Sequence, residues 1–374
     1  MPPPERILVC AISGRALAQS AKAAGFLPLV LDRFGDDDTC AAADGCATVA
    51  AGAESPFSTG SLLDAATSIA PPPMPLVYGS GFDGAPGLLA RLAQGRELLG
   101  MPPGGVARVK DPWDFAAACA RLGIPHPPIS AEPPADPGGW LVKRRGGAGG
   151  SHVREARGAG RLAKADYFQR RVAGSAVSAA LLGDGRRCLV LALSCQWQRP
   201  HGSGHYAGAL FPAGLAAPVE RALRDAAVAI GEAYGVVGLG SADFLADEEG
   251  GFHLLEVNPR PGAALEAAEL HLGMPLFGLH VAAARGRLPP SPPEPSAGVT
   301  ATEIVWADRD LVMPERFAWP DWAGDRTPAG VVLGRGDPAA TVRAVAGDPA
   351  TALARLADRR VELLRMLANA ARSA

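Results

Sequence analysis

The first hundred residues alternate between short apolar runs and Ala-rich segments in which apolar positions recur at helical spacing. Apolar runs at 7–12, 27–32 and 76–78 predict buried strands, and the Ala-rich segments beside them, together with 88–99, predict helices. Strands that alternate with helices form a parallel sheet covered on both faces. We therefore predict an α/β, Rossmann-like unit over residues 1–103, with any ligand site in the loops that follow its strands.

From residue 104 the pattern changes to an α+β mixture. Asp111 followed by a proline predicts a helix start at 112, and further patterns predict strands at 177–182 and 188–195, a helix at 217–233 and a hairpin of 241–245 with 252–257. After a Pro-rich linker at 288–297, a β-rich stretch at 299–345 precedes an amphipathic closing helix at 351–371. The predicted units are 104–174, 175–290 and a small β-rich C-terminal unit at 298–374.

Composition narrows the class of protein. The chain has 374 residues, 48% of them hydrophobic, and 36 basic against 38 acidic residues give a net charge of −2. These values exclude a disordered chain and argue against nucleic acid as the main partner. No apolar run approaches the roughly 18 residues that cross a bilayer, and no signal-peptide pattern opens the chain, so we expect a cytoplasmic protein without a membrane partner. Six scattered cysteines predict buried thiols, not disulfides or a zinc site.

The predicted hairpin carries the sharpest chemical signal. If residues 249–250 form a two-residue turn, Asp243 lies opposite Glu256, and alternation puts Leu254, Glu256, Asn258 and Arg260 on one face. Two opposed carboxylates repel unless a cation lies between them. Asp243, Glu256 and Asn258 form an all-oxygen set that suits Mg²⁺ or Mn²⁺, and Arg260 suits a transferring phosphoryl group. The alternative, an edge hairpin with solvated acids, is disfavoured by the flanking apolar residues.

A glycine loop, WLVKRRGGAGGSH at 140–152, follows a predicted strand. Such a loop can lay its backbone N–H groups over phosphates while Lys143 reaches an oxygen. Residues 143–171 hold nine Lys and Arg against two acids, which suits a polyphosphate. A plain mobile turn and a solvated basic face are the alternatives. The predicted phosphate contacts in the loop are Lys143, Gly146, Gly147, Gly149, Gly150 and Ser151.

A third segment, YFQRRVAG at 167–174, leads into a strand. Its extended backbone could hydrogen-bond an adenine edge, or it could be an ordinary strand and turn.

The order and spacing of these features resemble the ATP-grasp superfamily of ligases. The resemblance covers about residues 1–290 and implies a Rossmann-like pre-ATP-grasp domain followed by a two-lobed ATP-grasp domain. It implies that ATP and two Mg²⁺ (or Mn²⁺) ions are bound, with Asp243, Glu256 and Asn258 as metal ligands. It places Lys110 and Lys143 on phosphates, Arg260 on the phosphate and the acyl phosphate, and the adenine between Gln169, Arg170 and Val172. One departure is that no acidic residue follows Gly174 to hold the ribose.

A narrower likeness concerns GSGFD at 79–83, CQW at 195–197, YAG at 206–208 and GDP at 336–338. These segments resemble biotin-carboxylase-related ligases, some associated with methanopterin and methanofuran coenzymes. The likeness implies that a small-molecule carboxylate and an amine are joined as an amide, in a chain that can form a homodimer. A bicarbonate-using carboxylase and a non-catalytic nucleotide-binding regulator are the alternatives. The predicted substrate contacts are Ser13, Arg15, Ser80, Gly81, Asp83, Gln196, His205 and Tyr206.

Overall fold

A computed structural model describes residues 3–53, 55–150, 152–157, 162–199, 204–247, 249–296 and 298–373. The helices are α1 Arg15–Ala23, α2 Asp37–Ala42, α3 Thr59–Ile69, α4 Pro86–Leu92, α5 Pro103–Val109, α6 Pro112–Leu122, α7 Ala217–Tyr234, α8 Leu265–Leu272, α9 Phe277–Ala284 and α10 Pro349–Ser373. The strands are β1 Arg6–Cys10, β2 Leu27–Asp32, β3 Gly45–Thr48, β4 Leu76–Tyr78, β5 Ile129–Ser130, β6 Trp140–Arg144, β7 Arg154–Glu155, β8 Asp166–Arg170, β9 Ser175–Asp184, β10 Cys188–Gln198, β11 Tyr206–Phe211, β12 Val237–Ala246, β13 Phe252–Asn258, β14 Val299–Trp306, β15 Leu311–Val312, β16 Ala323–Gly324, β17 Val332–Leu333 and β18 Pro338–Ala346.

The N-terminal sheet has four parallel strands in the order β3-β2-β1-β4. Its apolar side chains are buried on both faces by the intervening helices, as the alternating pattern predicts. The helix predicted for 88–99 ends at Leu92 instead, because the chain turns at Gly95, whose φ of 73° suits glycine. Leu98 then forms a parallel bridge with Leu76. The pattern also missed β3, whose four residues are short and half-buried.

The second sheet is antiparallel, has four strands in the order β5-β8-β6-β7, and carries the glycine loop between β6 and β7. The helix before it begins where the sequence predicts. The Asp111 carboxylate accepts hydrogen bonds from the backbone N–H groups of Trp113 and Asp114, which caps α6. This sheet therefore holds the glycine loop at the end of β6, next to Lys143.

The third sheet has eight strands in the order β13-β12-β9-β10-β11-β14-β18-β16. Helix α7 packs on one face, where its Leu223 and Ile230 share a core cluster with Phe244 of the sheet, while α8 and α9 pack on the other face. Because β14 pairs with β11, this sheet runs on into the C-terminal strands, which α10 covers. The eight-stranded sheet thus runs through two of the predicted units, 175–290 and 298–374. The limits of these units remain predictions.

The cysteine prediction is wrong for two of the six residues. Cys40 and Cys46 form a disulfide between α2 and β3, whereas Cys10, Cys119 and Cys188 are buried free thiols and Cys195 is a half-buried free thiol. The spacing of six residues gives no signal of this bond, because only the turn between α2 and β3 brings the pair together. None of the helices in the described ranges is both long and apolar enough to cross a bilayer.

Candidate active site

The hairpin of β12 and β13 places the predicted acidic pair side by side. Asp243 is the cross-strand partner of Glu256, and Ser241 is the partner of Asn258, so this part of the predicted register is confirmed. A bulge then inserts Leu255, and Leu254 pairs with Phe244 in the core on the opposite face. Ala246 pairs with Phe252, with five residues between them, so the predicted two-residue turn at 249–250 is wrong. The prediction that Leu254 shares a face with Glu256 is therefore wrong, because a bulge reverses the alternation beyond it.

The site cluster comprises the side chains of Asp83, Lys110, Asp243, Glu256, Asn258 and Arg260. Lys110 ends α5, and its Nζ donates to Asn258 Oδ1 at 2.6 Å and to Glu256 Oε2 at 3.2 Å. The Asn258 amide in turn donates to Asp243 Oδ2 at 2.8 Å. Lys110 precedes Glu256 by 146 residues and Asn258 by 148, so a distant region of the chain meets the hairpin here.

Asp83 reaches this cluster from the N-terminal sheet, on the loop after β4. Its Oδ2 accepts a hydrogen bond from Arg260 Nε at 3.2 Å, and its Oδ1 lies 3.5 Å from Lys110 Nζ. Arg260 also donates to Pro261 O and Asn258 Oδ1, both at 3.4 Å. A guanidinium has five N–H groups, so two of them have no partner among the residues that the structure describes and can serve a ligand. Their pairing as a fork suits a carboxylate or a phosphate.

The two opposed carboxylates titrate differently. Burial, followed by the charge of Glu256, raises the pKa of Asp243 to about 6, although the hydroxyl of Ser178 donates to it at 2.6 Å. Burial acts on Glu256 in the same direction, but the charges of Lys110 and Lys143 outweigh it and lower the pKa of Glu256. Arg260 and Lys110 likewise outweigh the burial of Asp83 and lower its pKa. Repulsion thus persists between Asp243 and Glu256, as expected where a cation is to bind.

The donor set fits a divalent metal ion. Asp243, Glu256 and Asn258 offer carboxylate and amide oxygens, the ligands of Mg²⁺ and Mn²⁺. The described residues contain no group of three His, Cys, Asp or Glu side chains placed to hold a metal, so a zinc-type site is not built here. Lys110 Nζ provides the cation between two of the predicted ligands in this structure. The set would hold the metal once that ammonium moves.

The glycine loop closes over the cleft beside this cluster. Gly146 lies so close to Gly84 that a Cβ on Gly146 would come within 2.5 Å of the Gly84 Cα atom, and its φ of 70° also requires glycine. Gly149 O accepts a hydrogen bond from the backbone N–H of Tyr206 at 3.3 Å. Gly150 is packed against Gly204. The loop therefore contacts both the N-terminal unit and the turn between β10 and β11, while Ser151 lies outside the described residues.

The cleft beneath the loop is lined by charged and aromatic side chains. Burial lowers the pKa of Lys143, and the charge of Glu256 partly offsets this shift. His152 packs on Gly147, and burial lowers its pKa as well. The main side chains that line the cleft are those of Lys110, His126, Lys143, His152, Tyr167 and Glu256.

The segment predicted to bind adenine borders this region on β8. Gln169 is buried, and Arg170 lies over the Trp140 ring at 5.8 Å. The backbone N–H groups of Arg170 and Arg171 donate to Pro128 O and Gly139 O, both at 2.8 Å. Val172 follows, half-buried, where the chain turns toward β9. The adenine contact remains a prediction.

The predicted substrate contacts divide into those near the site cluster and those away from it. Asp83 lies in the cluster itself. In the same loop Ser80 O accepts from the Ile12 N–H at 3.0 Å, and Gly81 packs against the Phe57 ring. His205 packs edge-on against Trp306, and Tyr206 borders the glycine loop. Gln196 lies on β10 opposite Ala209 of β11.

Ser13 and Arg15 do not join the site cluster. Arg15, 3% exposed, donates to Asp325 from Nε at 2.9 Å and to Glu266 at 2.7 Å. Ser13 donates to the same Asp325 carboxylate at 3.0 Å. Arg343 donates to the other Glu266 oxygen at 2.7 Å. We call this second group the clamp cluster; it comprises Ser13, Arg15, Asp38, Glu266, Asp325 and Arg343.

The loop after β1 is a predicted ligand position of the N-terminal sheet. In the structure the carboxylate of Asp325, from the same chain, lies at this position. Asp325 has a φ of 54°, and the backbone N–H groups of Asp325 and Arg326 donate to Asp38 at 3.1 and 2.9 Å. Sequence reasoning missed Asp325, Glu266 and the Asp243 partner Ser178. Each meets its partner across 65 residues or more, so no local pattern could have shown the contact.

Known proteins resemble this chain in sequence profile and in fold. Residues 109–264 match the sequence profile of the ATP-grasp domain. No curated protein sequence matches the chain. The predicted α/β architecture is confirmed as an ATP-grasp fold similar to that of biotin carboxylase.

Three solved structures illustrate the likeness. Pyruvate carboxylase from Rhizobium etli superimposes with a TM-score of 0.76 at 17% identity, over 96% of this chain but only 39% of its own. The biotin carboxylase domain of 2-oxoglutarate carboxylase from Hydrogenobacter thermophilus gives 0.74 at 16%, over 93% of this chain and 88% of its own. Biotin carboxylase from Campylobacter jejuni gives 0.72 at 17%, over 93% and 89%.

Proposed function

We propose that this chain is an ATP-dependent ligase that activates a small carboxylate as an acyl phosphate and transfers the acyl group to an amine. The observation that carries the proposal is the pairing of Asp243 with Glu256, beside Asn258 and Arg260, at the mouth of a cleft that holds Lys110 and Lys143. Its support is the ATP-grasp match over 109–264 and the shared fold.

The proposed reaction needs charge neutralisation more than covalent help from the protein. The substrate carboxylate attacks the γ-phosphorus of ATP, ADP leaves, and the amine then displaces phosphate from the acyl phosphate. Mg²⁺ held by Asp243, Glu256 and Asn258 would supply positive charge to the phosphate oxygens. Lys143 binds phosphate oxygens, Arg260 orients the acyl phosphate, and the glycine loop excludes water from it.

A bicarbonate-using carboxylation is the second candidate. The H. thermophilus domain, solved with MgADP and bicarbonate, shares its fold with 93% of this chain. Bicarbonate would then take the place of the carboxylate and biotin that of the amine. The narrower prediction of a step in one-carbon coenzyme synthesis rests on the subgroup resemblance alone.

A matrix of small carboxylic acids and amines, with ADP release as the first readout and product mass as the second, tests the proposal. We expect at least one acid–amine pair to raise ADP release well above the rate with ATP alone and to give a product lighter by one water than the two substrates together. The ADP release that persists in Glu256→Gln, assayed in parallel, measures contaminating ATPases and is subtracted. Stimulation only by bicarbonate with biotin would favour the second candidate. Nucleotide binding without stimulation by any acid would contradict both enzyme hypotheses and favour a regulator.

A further inference from the structure

The ammonium of Lys110 takes the oxygens that the metal would use. Its Nζ lies 2.6 Å from Asn258 Oδ1 and 3.2 Å from Glu256 Oε2, and the Lys110 side chain is only 6% exposed. An ammonium has three N–H donors, so these two bonds leave one. A divalent ion that approaches the same two oxygens meets the positive charge of this ammonium, so the two cations compete for them.

A second acceptor is ready for that ammonium on another part of the chain. Asp83 Oδ1 is buried and accepts no hydrogen bond from the residues that the structure describes, yet it lies 3.5 Å from Lys110 Nζ. The other oxygen of the same carboxylate is held by Arg260 at 3.2 Å. A buried oxygen left without a donor is costly, so a small rotation of Lys110 toward Asp83 has a favourable end point.

We propose that Lys110 keeps the metal site closed until nucleotide binds, and that its ammonium then passes from Glu256 and Asn258 to Asp83 and a phosphate oxygen. This inference rests on the proposed function, since it requires the nucleotide phosphates to lie beside Lys110. A rotation of the Lys110 side chain at the end of α5 is enough for this movement, because Asp83 Oδ1 already lies 3.5 Å from the Lys110 Nζ. Metal and nucleotide thus bind cooperatively, and metal alone binds weakly.

Binding of Mn²⁺ without nucleotide, followed by electron paramagnetic resonance or calorimetry, tests the first half of this inference. In Lys110→Met we expect the Mn²⁺ affinity to rise at least about tenfold over wild type, because two charge-assisted hydrogen bonds no longer compete with the ion. Lys143→Met is the matched control. It removes a charge that also acts on Glu256, but among the described residues Lys143 forms no ion pair with either predicted ligand. We expect a rise of about threefold or less from it.

Equal rises in the two variants would show simple charge repulsion and overturn the inference, as would an unchanged affinity in Lys110→Met. Thermal melts show whether each variant folds, and Lys110→Gln serves if the methionine variant does not. These measurements separate the inference from the proposed function. Failure of the wild-type protein to bind Mn²⁺ with the ATP analogue AMP-PNP would contradict the function. Normal binding of that complex, with no gain in Lys110→Met, would contradict this inference alone.

Asp83→Asn tests the second half. The neutral amide is a poorer acceptor for the ammonium, so Lys110 remains on Glu256 and Asn258 when nucleotide is present. We expect the affinity for Mn²⁺ alone to stay within about twofold of wild type, while the affinity for Mn²⁺ in the presence of AMP-PNP falls about tenfold. An equal fall in both affinities would show a general loss of structure at the site and would overturn the role of Asp83 as the receiving group.

Discussion

The site cluster and the clamp cluster both bury charged side chains from distant parts of the chain, but only the clamp cluster satisfies them. Arg15 makes four hydrogen bonds of 2.7 to 3.2 Å to Gln19, Glu266 and Asp325. Arg260 makes three bonds of 3.2 to 3.4 Å. Within the described residues the site cluster also leaves Asp83 Oδ1 without a hydrogen bond.

This difference separates a permanent contact from a binding site. A buried charge that is fully paired fixes the structure, whereas unused donors and opposed like charges cost stability unless a ligand completes them. The clamp cluster therefore joins the N-terminal unit to the C-terminal strands. The site cluster keeps its remaining donors and its repelling carboxylates for a phosphate and a metal ion.

The largest effect that this comparison predicts is the loss of turnover in Glu256→Gln. Removal of one carboxylate charge relieves the repulsion with Asp243 and removes a ligand for the metal. We expect the rate of ADP release, measured with the acceptor pair that the substrate matrix identifies, to fall at least about a thousandfold. Because Glu256 also pairs with Lys110, the relieved repulsion is offset by the loss of this ion pair, and the melting temperature should stay within about 5 °C of wild type.

Glu249→Gln is the control for that variant, because it neutralises an exposed acid at the turn of the same hairpin. Its rate should match that of the wild-type protein. If Glu256→Gln retained activity within about tenfold of wild type, the metal assignment would be wrong.

Arg15→Met should have the opposite effect: it should lower the stability of the protein and leave nucleotide binding nearly unchanged. It leaves Asp325 and Glu266 buried without their main partner, so we expect the free energy of unfolding to fall by about 3 kcal/mol. Affinity for Mg²⁺ with AMP-PNP should change less than about threefold, because the clamp cluster takes no part in the site. Chemical denaturation and calorimetry measure the two quantities.

Arg6→Met provides the reference for an exposed ion pair. Arg6 lies 2.9 Å from Asp44, but its side chain is 61% exposed, so its loss should cost less than about 1 kcal/mol. A large drop in nucleotide affinity for Arg15→Met would show that the clamp cluster belongs to the site after all.

Asp36, an acidic residue beside the clamp cluster, lowers the stability of the protein by an amount that depends on pH. Burial, followed by the charges of Asp325, Asp32 and Asp38, raises the pKa of Asp36 to about 8, and Arg15 offsets only part of this shift. The unfolded chain releases this proton near pH 4, so stability is lost as pH rises from about 4 through 8. We expect Asp36→Asn to raise the free energy of unfolding by about 2 kcal/mol near pH 8. The gain should vanish near pH 4, and a gain independent of pH would contradict the assignment.

The two clusters also show how far sequence reasoning reaches. The prediction that Asp243 pairs with Glu256 rests on a two-residue turn that the hairpin does not have; the pairs nearest the turn are shifted by one residue, and the bulge restores the predicted register from Asp243 onward. Lys110, Lys143 and Arg260 could be identified by their order along the chain. The bulge at Leu255 could not be predicted from the sequence, because it depends on how Leu254 and Phe244 pack in the core.

The clamp cluster was beyond such reasoning for a different reason. Its central contact joins Arg15 to a residue 310 positions later, and no periodicity or turn signal links them. The sequence therefore placed Ser13 and Arg15 at a ligand position after β1, and the structure shows the Asp325 carboxylate there instead. The topology of a parallel sheet predicts an anion-binding position after its first strand, but it does not predict which anion lies there.

Lys143 provides the smallest and most direct test of the distinction between the two clusters. Unlike Arg15, it forms no ion pair with any acid in the described ranges, although it lines the cleft beneath the glycine loop. A half-buried cation kept without an ion-pair partner is partly desolvated in the free protein and gains a partner when phosphate binds. We expect Lys143→Ala to weaken the binding of Mg²⁺ with AMP-PNP about tenfold, measured by calorimetry. Lys164→Ala, which removes an exposed charge from the same basic segment, should change the affinity less than about twofold. Equal losses would mean that the basic segment attracts nucleotide only by its general positive charge. The assignment of the phosphates to the cleft would then be wrong.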